Sequence, residues 1–276
     1  MKQKKFIGKL ICSILLGVVA LAFALPLVWM ILTSFKYSRE VFWPNWLPSG
    51  DWKWDNYAIV WLDETVSLAK SYLNSILIVV GGTGGMLLVS SMAAYSFAKI
   101  RFKGKNIVFG LFMAAMMIPN QVTIIPRYML FYEIGLYNNL WALIMPAWFN
   151  VTTIFMLRQF YLGLPDDLTE AAKIDGAGHM RIFLQVLMPL TKPAMVSAAV
   201  LSFIHLWNDY LSALIFLVKK DLYTVAQVVR YWLSDNDQPY ELVMATATSI
   251  IIPVVILFIF CQKYFVEGIA TSGVKG

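Results

Sequence analysis

The sequence predicts an all-α membrane protein: six transmembrane helices with a short two-helix hairpin between the fourth and the fifth. Three observations carry this. Charged residues make up 14% and hydrophobic residues 59% of the 276-residue chain, whereas a soluble domain carries about 25% charge; mean hydropathy is +0.68. The apolar residues fall in continuous runs long enough to cross a hydrocarbon core, which takes about 20 helical residues. Residues 163–193 interrupt them with GLPDDLTEAAKIDGAGHMRIFLQVLMPLTKP, a polar stretch bearing helix start and stop signals. In lipid the backbone is satisfied by helices or closed barrels, and these runs lack the alternation of barrel strands.

The six runs cover about 11–35, 72–98, 106–129, 139–157, 193–218 and 245–264. The first follows Lys2, Lys4, Lys5 and Lys9, as a signal peptide would, but it is too long for one and no small-x-small cleavage site follows. Lys99, Arg101, Lys103 and Lys105 lie between the second and third runs with no acid near them. Such a cluster marks a cytoplasmic turn, which puts both termini and the hairpin in the cytoplasm. The net charge of +6 is thus a property of membrane sides and points to no nucleic acid. Cys12 and Cys261 sit in or beside apolar runs and read as small fillers. No low-complexity tract, long linker or internal repeat is evident, and the chain reads as a single transmembrane domain.

The second run contains GGTGG at 81–85, which lacks the Gly-Lys-Ser/Thr ending of a phosphate loop. Gly81 and Gly85 have the small-xxx-small spacing that brings helices close. In the third run, Pro119, Asn120, Gln121 and Thr123 make a polar, proline-broken point. Irregular backbone at membrane depth is tolerated where it lines a cavity or is covered by protein, so Asn120 and Gln121 are candidates for a translocation path. Asn208 and Asp209 in the fifth run are the second pair of candidates. His205 and Asp209 are four apart and share a helix face; Asp209 is either a ligand for polar solutes or a polar anchor near the surface. Pro146 and Pro253 are expected to kink the fourth and sixth runs. The outer stretch 36–71 holds Trp43, Trp46, Trp52, Trp54 and Trp61, expected in interface belts or packing.

The hairpin, about 166–188, starts after Pro165. Asp166 or Asp167 is expected to cap the first helix, with Glu170 completing a capping box. Gly176 and Gly178 end it. Residues 180–187 form a second helix with an apolar stripe at Ile182, Phe183, Val186 and Leu187, and Pro189 and Pro193 separate it from the fifth run. Ala171 and Ala172 leave room for a close neighbour. On these grounds alone the hairpin is either a contact surface for another protein or a loop lying at the headgroups.

Glu170-Ala171-Ala172, Gly176, and Pro189 after Val186-Leu187-Met188 resemble the EAA loop of ABC-transporter permeases, with the spacing kept throughout. Val186 and Met188 are mild departures from the isoleucine and leucine usual there. FYLGLPDDLTEAAKIDGAG (160–178), LWNDYLSALIF (206–216) and QKYFVEGIATSGVKG (262–276) are similar to the carbohydrate-importer branch, of the maltose permease G subunit type. The resemblance covers nearly the whole chain and implies a permease subunit of a bacterial cell-membrane importer for carbohydrate, with a polyol-like solute such as a glycerophosphate as the alternative. It implies that Glu170, Ala171, Ala172, Asp175, Gly176, Ala177 and Pro189 couple to an ATPase, and that Ser272, Gly273, Lys275 and Gly276 of the tail reach toward it. The implied partners are a second homologous permease, two ATPase subunits, an extracellular or periplasmic solute-binding protein and the lipid bilayer. ATP and Mg would stay on the ATPases, leaving no cofactor, metal or catalytic residue on this chain. A membrane-embedded enzyme built on His205 and Asp209 is the competing class, but no nucleophile elbow, HExxH or paired aspartates accompany them.

Overall fold

The structure is a computed structural model that describes residues 2–234 and 238–273, with side chains at 8–234 and 238–262. Among the described residues all regular structure is helical. The chain divides into two compact units, Met1–Ala69 with Val228–Ile252, and Lys70–Gln227 with Pro253–Gly276.

In the first unit, α1 (Lys2–Thr33) is a long apolar helix, and none of its residues 8–32 is buried. It leads into an ordered segment closed by α2 (Asp55–Leu62). Phe35 packs against Trp52, Trp54 and Tyr57 with ring centroids 4.6–5.2 Å apart. Asn56 Nδ2 donates to the carbonyls of Ser34 and Lys36 at 2.9 and 3.0 Å, stitching the segment to the end of α1. Trp61 Nε1 donates to Ser249 Oγ at 3.2 Å. Of the outer tryptophans, Trp52 and Trp54 pack a face on Phe35 and Trp61 bonds Ser249, although Trp52 and Trp54 remain exposed, as Trp43 and Trp46 do.

The second unit is built around α3 (Leu68–Lys99), an unbroken apolar helix. Near its N-terminal end Asn74 Nδ2 donates to the carbonyls of Asp221 and Tyr223, and Ser75 Oγ accepts from the Val225 amide. Midway, Gly81, Gly82 and Gly85 let other helices approach. Trp148 Nε1 donates to the Gly81 carbonyl at 2.9 Å, and a Cβ built on Gly85 would lie 2.0 Å from that same nitrogen. A Cβ on Gly82 would lie 2.8 Å from Leu206 Cδ1. The small-residue spacing therefore serves contacts within this chain. At the C-terminal end, Lys105 Nζ donates to the carbonyls of Ala98 and Ile100, and Arg158 Nε to that of Phe97. Cations there satisfy carbonyls the helix leaves open and oppose its dipole.

The third, fourth and fifth apolar runs are each broken, the third at the proline-marked point the sequence predicts. The third is α4 (Lys105–Met116) and α5 (Asn120–Glu133), bent by 96° at Pro119, where proline disfavours helix before it. The fourth is two short helices, α6 (Trp141–Ala147) and α7 (Val151–Leu162); Pro146 lies one residue from the end of α6, and Asn150 Oδ1 caps α7 by accepting from the Thr153 amide at 2.9 Å. After the hairpin comes α11 (Lys192–Trp207), bent by 77° from the helix before it. It stops short of the expected 218: Asn208 and Asp209 break the run, and α12 (Tyr210–Phe216) begins again with Asp209 as its cap. At Asn150 and Asp209 the cause is shared, since Asn and Asp side chains compete for backbone amides. α13 (Val225–Leu233) and α14 (Tyr240–Gly273) complete the chain; Pro253 lies inside α14 without ending it. Among the described residues three helices are long and apolar enough to cross a membrane, or five segments when each strongly bent pair counts as one.

Two adjacent glycines of α3 allow a controlled test. Gly85→Val should lower stability by about 1–3 kcal/mol through overpacking, because Trp148 must move. Gly84, with nothing within 4 Å of a built Cβ, should accept alanine with a small gain, since glycine costs a helix about 0.5–1 kcal/mol. Thermal denaturation of the detergent-solubilised chain reads both.

Candidate functional site

Two regions gather the residues singled out from the sequence. The first is the hairpin. Its first helix, α8 (Asp167–Ile174), has Asp167 and Glu170 in its first turn, where carboxylates suit the helix dipole. Asp166 stands at the N-cap, as expected, but makes no capping bond. Its carboxylate instead accepts from Lys99 Nζ at 2.6 Å, across from the end of α3.

The turn that follows is a complete Schellman motif. Gly176 is left-handed at φ +77°. Its amide donates to the Lys173 carbonyl at 3.0 Å, and the Ala177 amide reaches back to Ala172 at 2.9 Å. Ala172 and Ala177, the two positions whose apolar contact accompanies this motif, both pack against one buried cluster. Gly178 has an ordinary negative φ of −72° and opens the next helix rather than ending the first. That next stretch is α9 (His179–Arg181), a π-helical run Ile182–Leu187, and α10 (Met188–Leu190). The break before α11 falls at Thr191, ahead of Pro193; Pro189 lies inside the run rather than ending it.

The hairpin has two faces. Inward, Ile182, Phe183 and Leu187 are buried with Ala94 and Tyr95 of α3 and with Leu157 and Tyr161 of α7. The Tyr95 and Phe183 rings lie 5.3 Å apart. The Lys99 side chain is only 5% exposed; besides holding Asp166, its ammonium donates to the Leu164 carbonyl at 2.8 Å. Outward, Glu170, Ala171 and Asp175 are exposed, and so are Leu168 (38%), Met180 (58%) and Ile174 (86%). An 86% exposed isoleucine at a helix end is a side chain with almost nothing of its own chain to rest on.

The second region is a cavity of about 600 Å³, within the 300–1,000 Å³ typical of small-molecule sites. Asn120, Gln121, His205 and Asp209 line it, as does Arg127. The sequence places His205 and Asp209 on one helical face; the helix in fact breaks between them, yet both reach the same cavity. Asn208 is not among the lining residues, and its Nδ2 turns back to the Ile204 carbonyl at 2.8 Å. Arg127 is the residue that sequence reasoning misses. It lies inside the third run, 106–129, and a cation inside an apolar run is itself a signal of a functional position.

Of the tail residues, Ser272 and Gly273 fall on the last turn of α14, with side chains outside those described. Lys275 and Gly276 lie outside the described residues. Cys12 and Cys261 are free thiols.

Residues 85–271 match the family model for the binding-protein-dependent transport system inner membrane component, and the chain belongs to that family. A probable ABC transporter permease protein, YurM of Bacillus subtilis, is 30% identical over 277 residues, covering 100% of this chain and 91% of its own. The arabinooligosaccharides transport system permease AraQ of Halalkalibacterium halodurans is 34% identical over 262 residues, covering 91% of each. A chain in the crystal structure of a bacterial ABC transporter involved in import of the acidic polysaccharide alginate superposes with a TM-score of 0.83 at 25% identity, covering 94% of this chain and 96% of that one.

The hydrogen bond and the charge of the Lys99 ammonium hold the Asp166 carboxyl below the usual carboxylate range. A carboxyl depressed in the folded state stabilises at pH above its unfolded value, about 3.9, and that contribution is lost as pH falls through the folded value. Hydrogen-exchange protection at residues 164–170, relative to the intrinsic rate at each pH, should therefore fall in wild type below about pH 4, and in Lys99→Met already at neutral pH. Separately, Gly176→Ala should cost about 1–2 kcal/mol, the penalty of a left-handed residue bearing a Cβ, while Gly176→Asn costs less; thermal melts of the two variants distinguish them.

Proposed function

We propose that the chain is a permease subunit of an ATP-driven bacterial importer for carbohydrate, oligosaccharide foremost. It works in the cytoplasmic membrane beside a second, homologous permease, with two ATPase subunits on the inner side and a solute-binding protein outside. ATP and Mg stay on the ATPases, and this chain catalyses no reaction. Family membership and the oligosaccharide and polysaccharide solutes named for its relatives support the solute class. Taken with the sequence, α4–α5, α6–α7 and α11–α12 each count as one broken crossing, which makes six with α1, α3 and α14. The basic turn Lys99–Lys105 then faces the cytoplasm, and so do both termini and the hairpin.

The hairpin's two-faced construction is the observation that carries this reading. Ile174 and Met180 project from it largely uncovered, and its opposite face is buried on α3 and α7. In the proposed mechanism the outward face seats in a groove of the ATPase, with Glu170 and Asp175 meeting basic residues there. Closure of the ATPase pair pushes the hairpin. Because Ile182, Phe183 and Leu187 are packed into the same cluster as Ala94 and Leu157, the push displaces helices instead of bending a loop. The spans then alternate between openings, and the cavity lined by Asn120, Gln121 and Asp209 lies on the path.

Ile174→Asp should abolish co-purification with the ATPase while leaving the melting temperature of the isolated chain unchanged, since Ile174 barely touches its own chain. Glu170→Ala should weaken ATPase binding by about 2 kcal/mol or more, as expected when one partner of a desolvated charge pair is removed. Unchanged ATPase affinity in both variants would contradict the coupling role.

A further inference from the structure

The cavity holds two opposite charges that do not pair. Arg127 on α5 and Asp209 at the α11–α12 break both line it. Among the described residues the ion pairs are Lys70 with Asp221 and Lys99 with Asp166, and neither cavity charge takes part. At membrane depth an unpaired charge is costly, and two opposite charges lining one cavity would be expected to close on each other unless something holds them apart.

The surrounding structure does hold them apart. Asp209 Oδ1 accepts from the Ser212 amide at 3.0 Å, capping α12, so this carboxylate is fixed to the start of a helix. The Arg127 guanidinium lies over the ring of fully buried Phe216, with Cζ 5.0 Å from the centroid. Its Nε is buried with no hydrogen-bond partner. α12 thus engages both groups, the carboxylate at its first turn and the guanidinium at its last residue. Between them the site offers a planar fork of donors, one carboxylate oxygen not used by the cap, and the neutral side chains of Asn120 and Gln121.

A saccharide hydroxyl both donates and accepts, so neighbouring hydroxyls complete such a split pair from both ends. An anionic solute would gain the guanidinium but meet the carboxylate; a cationic one would meet the reverse. We propose that Arg127 and Asp209 form a split ion pair that seats the hydroxyls of a neutral saccharide in transit, and so select against acidic solutes. The proposal rests on the importer reading above and adds to it the charge class of the solute.

The test uses the complete transporter, with partner permease, ATPases and binding protein, in liposomes loaded with ATP. Uptake is measured for neutral oligosaccharides and, in parallel, for uronate oligosaccharides and glycerol phosphate. Asp209→Asn keeps a capping side chain and removes the charge; Arg127→Gln removes the charge at the other end. Wild type should take up a neutral oligosaccharide, and each variant should lower that uptake about tenfold or more, the cost of losing a hydrogen bond to a charged group. ATP hydrolysis stimulated by the loaded binding protein, and assembly of the complex, are measured alongside, and uptake should fall further than either. The proposal is overturned by a wild type that moves only the acidic solutes, and by neutral uptake that stays at the wild-type level in both variants. It is also overturned by neutral uptake that falls only as far as assembly or hydrolysis falls. A wild-type complex that hydrolyses ATP yet moves none of these solutes removes the importer reading, and this proposal with it.

Discussion

The buried ammonium of Lys99, together with the cluster beneath it, is what the rest of the second unit depends on. A hairpin between two membrane segments is by default a hinge. Here it is clamped at two places. Lys99 holds the entry segment through the Leu164 carbonyl and the Asp166 carboxylate, and Ile182, Phe183 and Leu187 hold the second helix against α3 and α7. The first contact is electrostatic and directional; the second is bulk apolar burial. Truncating a buried phenylalanine typically costs about 3–5 kcal/mol, so the apolar part supplies most of the strength and the lysine fixes the angle. The Schellman turn at Gly176 then sets where the outward residues stand relative to that clamp.

A related constraint explains the broken helices. Pro119, Asn150 and Asp209 each interrupt an apolar run with a residue that either cannot continue a helix or offers its own oxygen to an amide. Backbone opened at such points must be lined by protein or by a polar space, and the neighbourhoods at Asn120–Gln121 and at Asp209 face the same cavity, as does Asn150 itself. The breaks and the cavity are therefore one feature. α3, by contrast, has no break; its glycines and serines make it thin rather than irregular, which lets Trp148 and Leu206 approach its axis.

Much of this is legible in the residues. The stop at Gly176, the helix beginning near Asp167 and the apolar stripe from Ile182 to Leu187 all follow from local chemistry, and local chemistry acts over a few residues. One failure is long-range and the others concern where a helix stops. Asp166 reads as a cap because nothing nearby in sequence competes for its carboxylate; its true partner is Lys99, 67 positions away. Pro189 reads as a boundary because a proline usually ends a helix, whereas the chain before it winds as a π-helix and the boundary moves to Thr191. Arg127 lies inside the third run, 106–129, yet escapes because the polar residues after Pro119 draw attention to the break and away from the cation beyond it. The breaks at Asn150 and Asn208–Asp209 escape because a run of apolar residues around one amide or carboxylate reads as continuous.

Whether the hairpin and α3 move as one body is the question on which the mechanism turns. Double electron–electron resonance between spin labels at Ile174 and at Met92, an exposed residue of α3, in the assembled transporter with and without ATP, answers it directly. An unchanged distance distribution across the nucleotide cycle is the predicted result, since force passes through a stiff joint. A shift or broadening of that distance on ATP binding would mean that the hairpin swings on its own, and coupling through a rigid joint would be wrong.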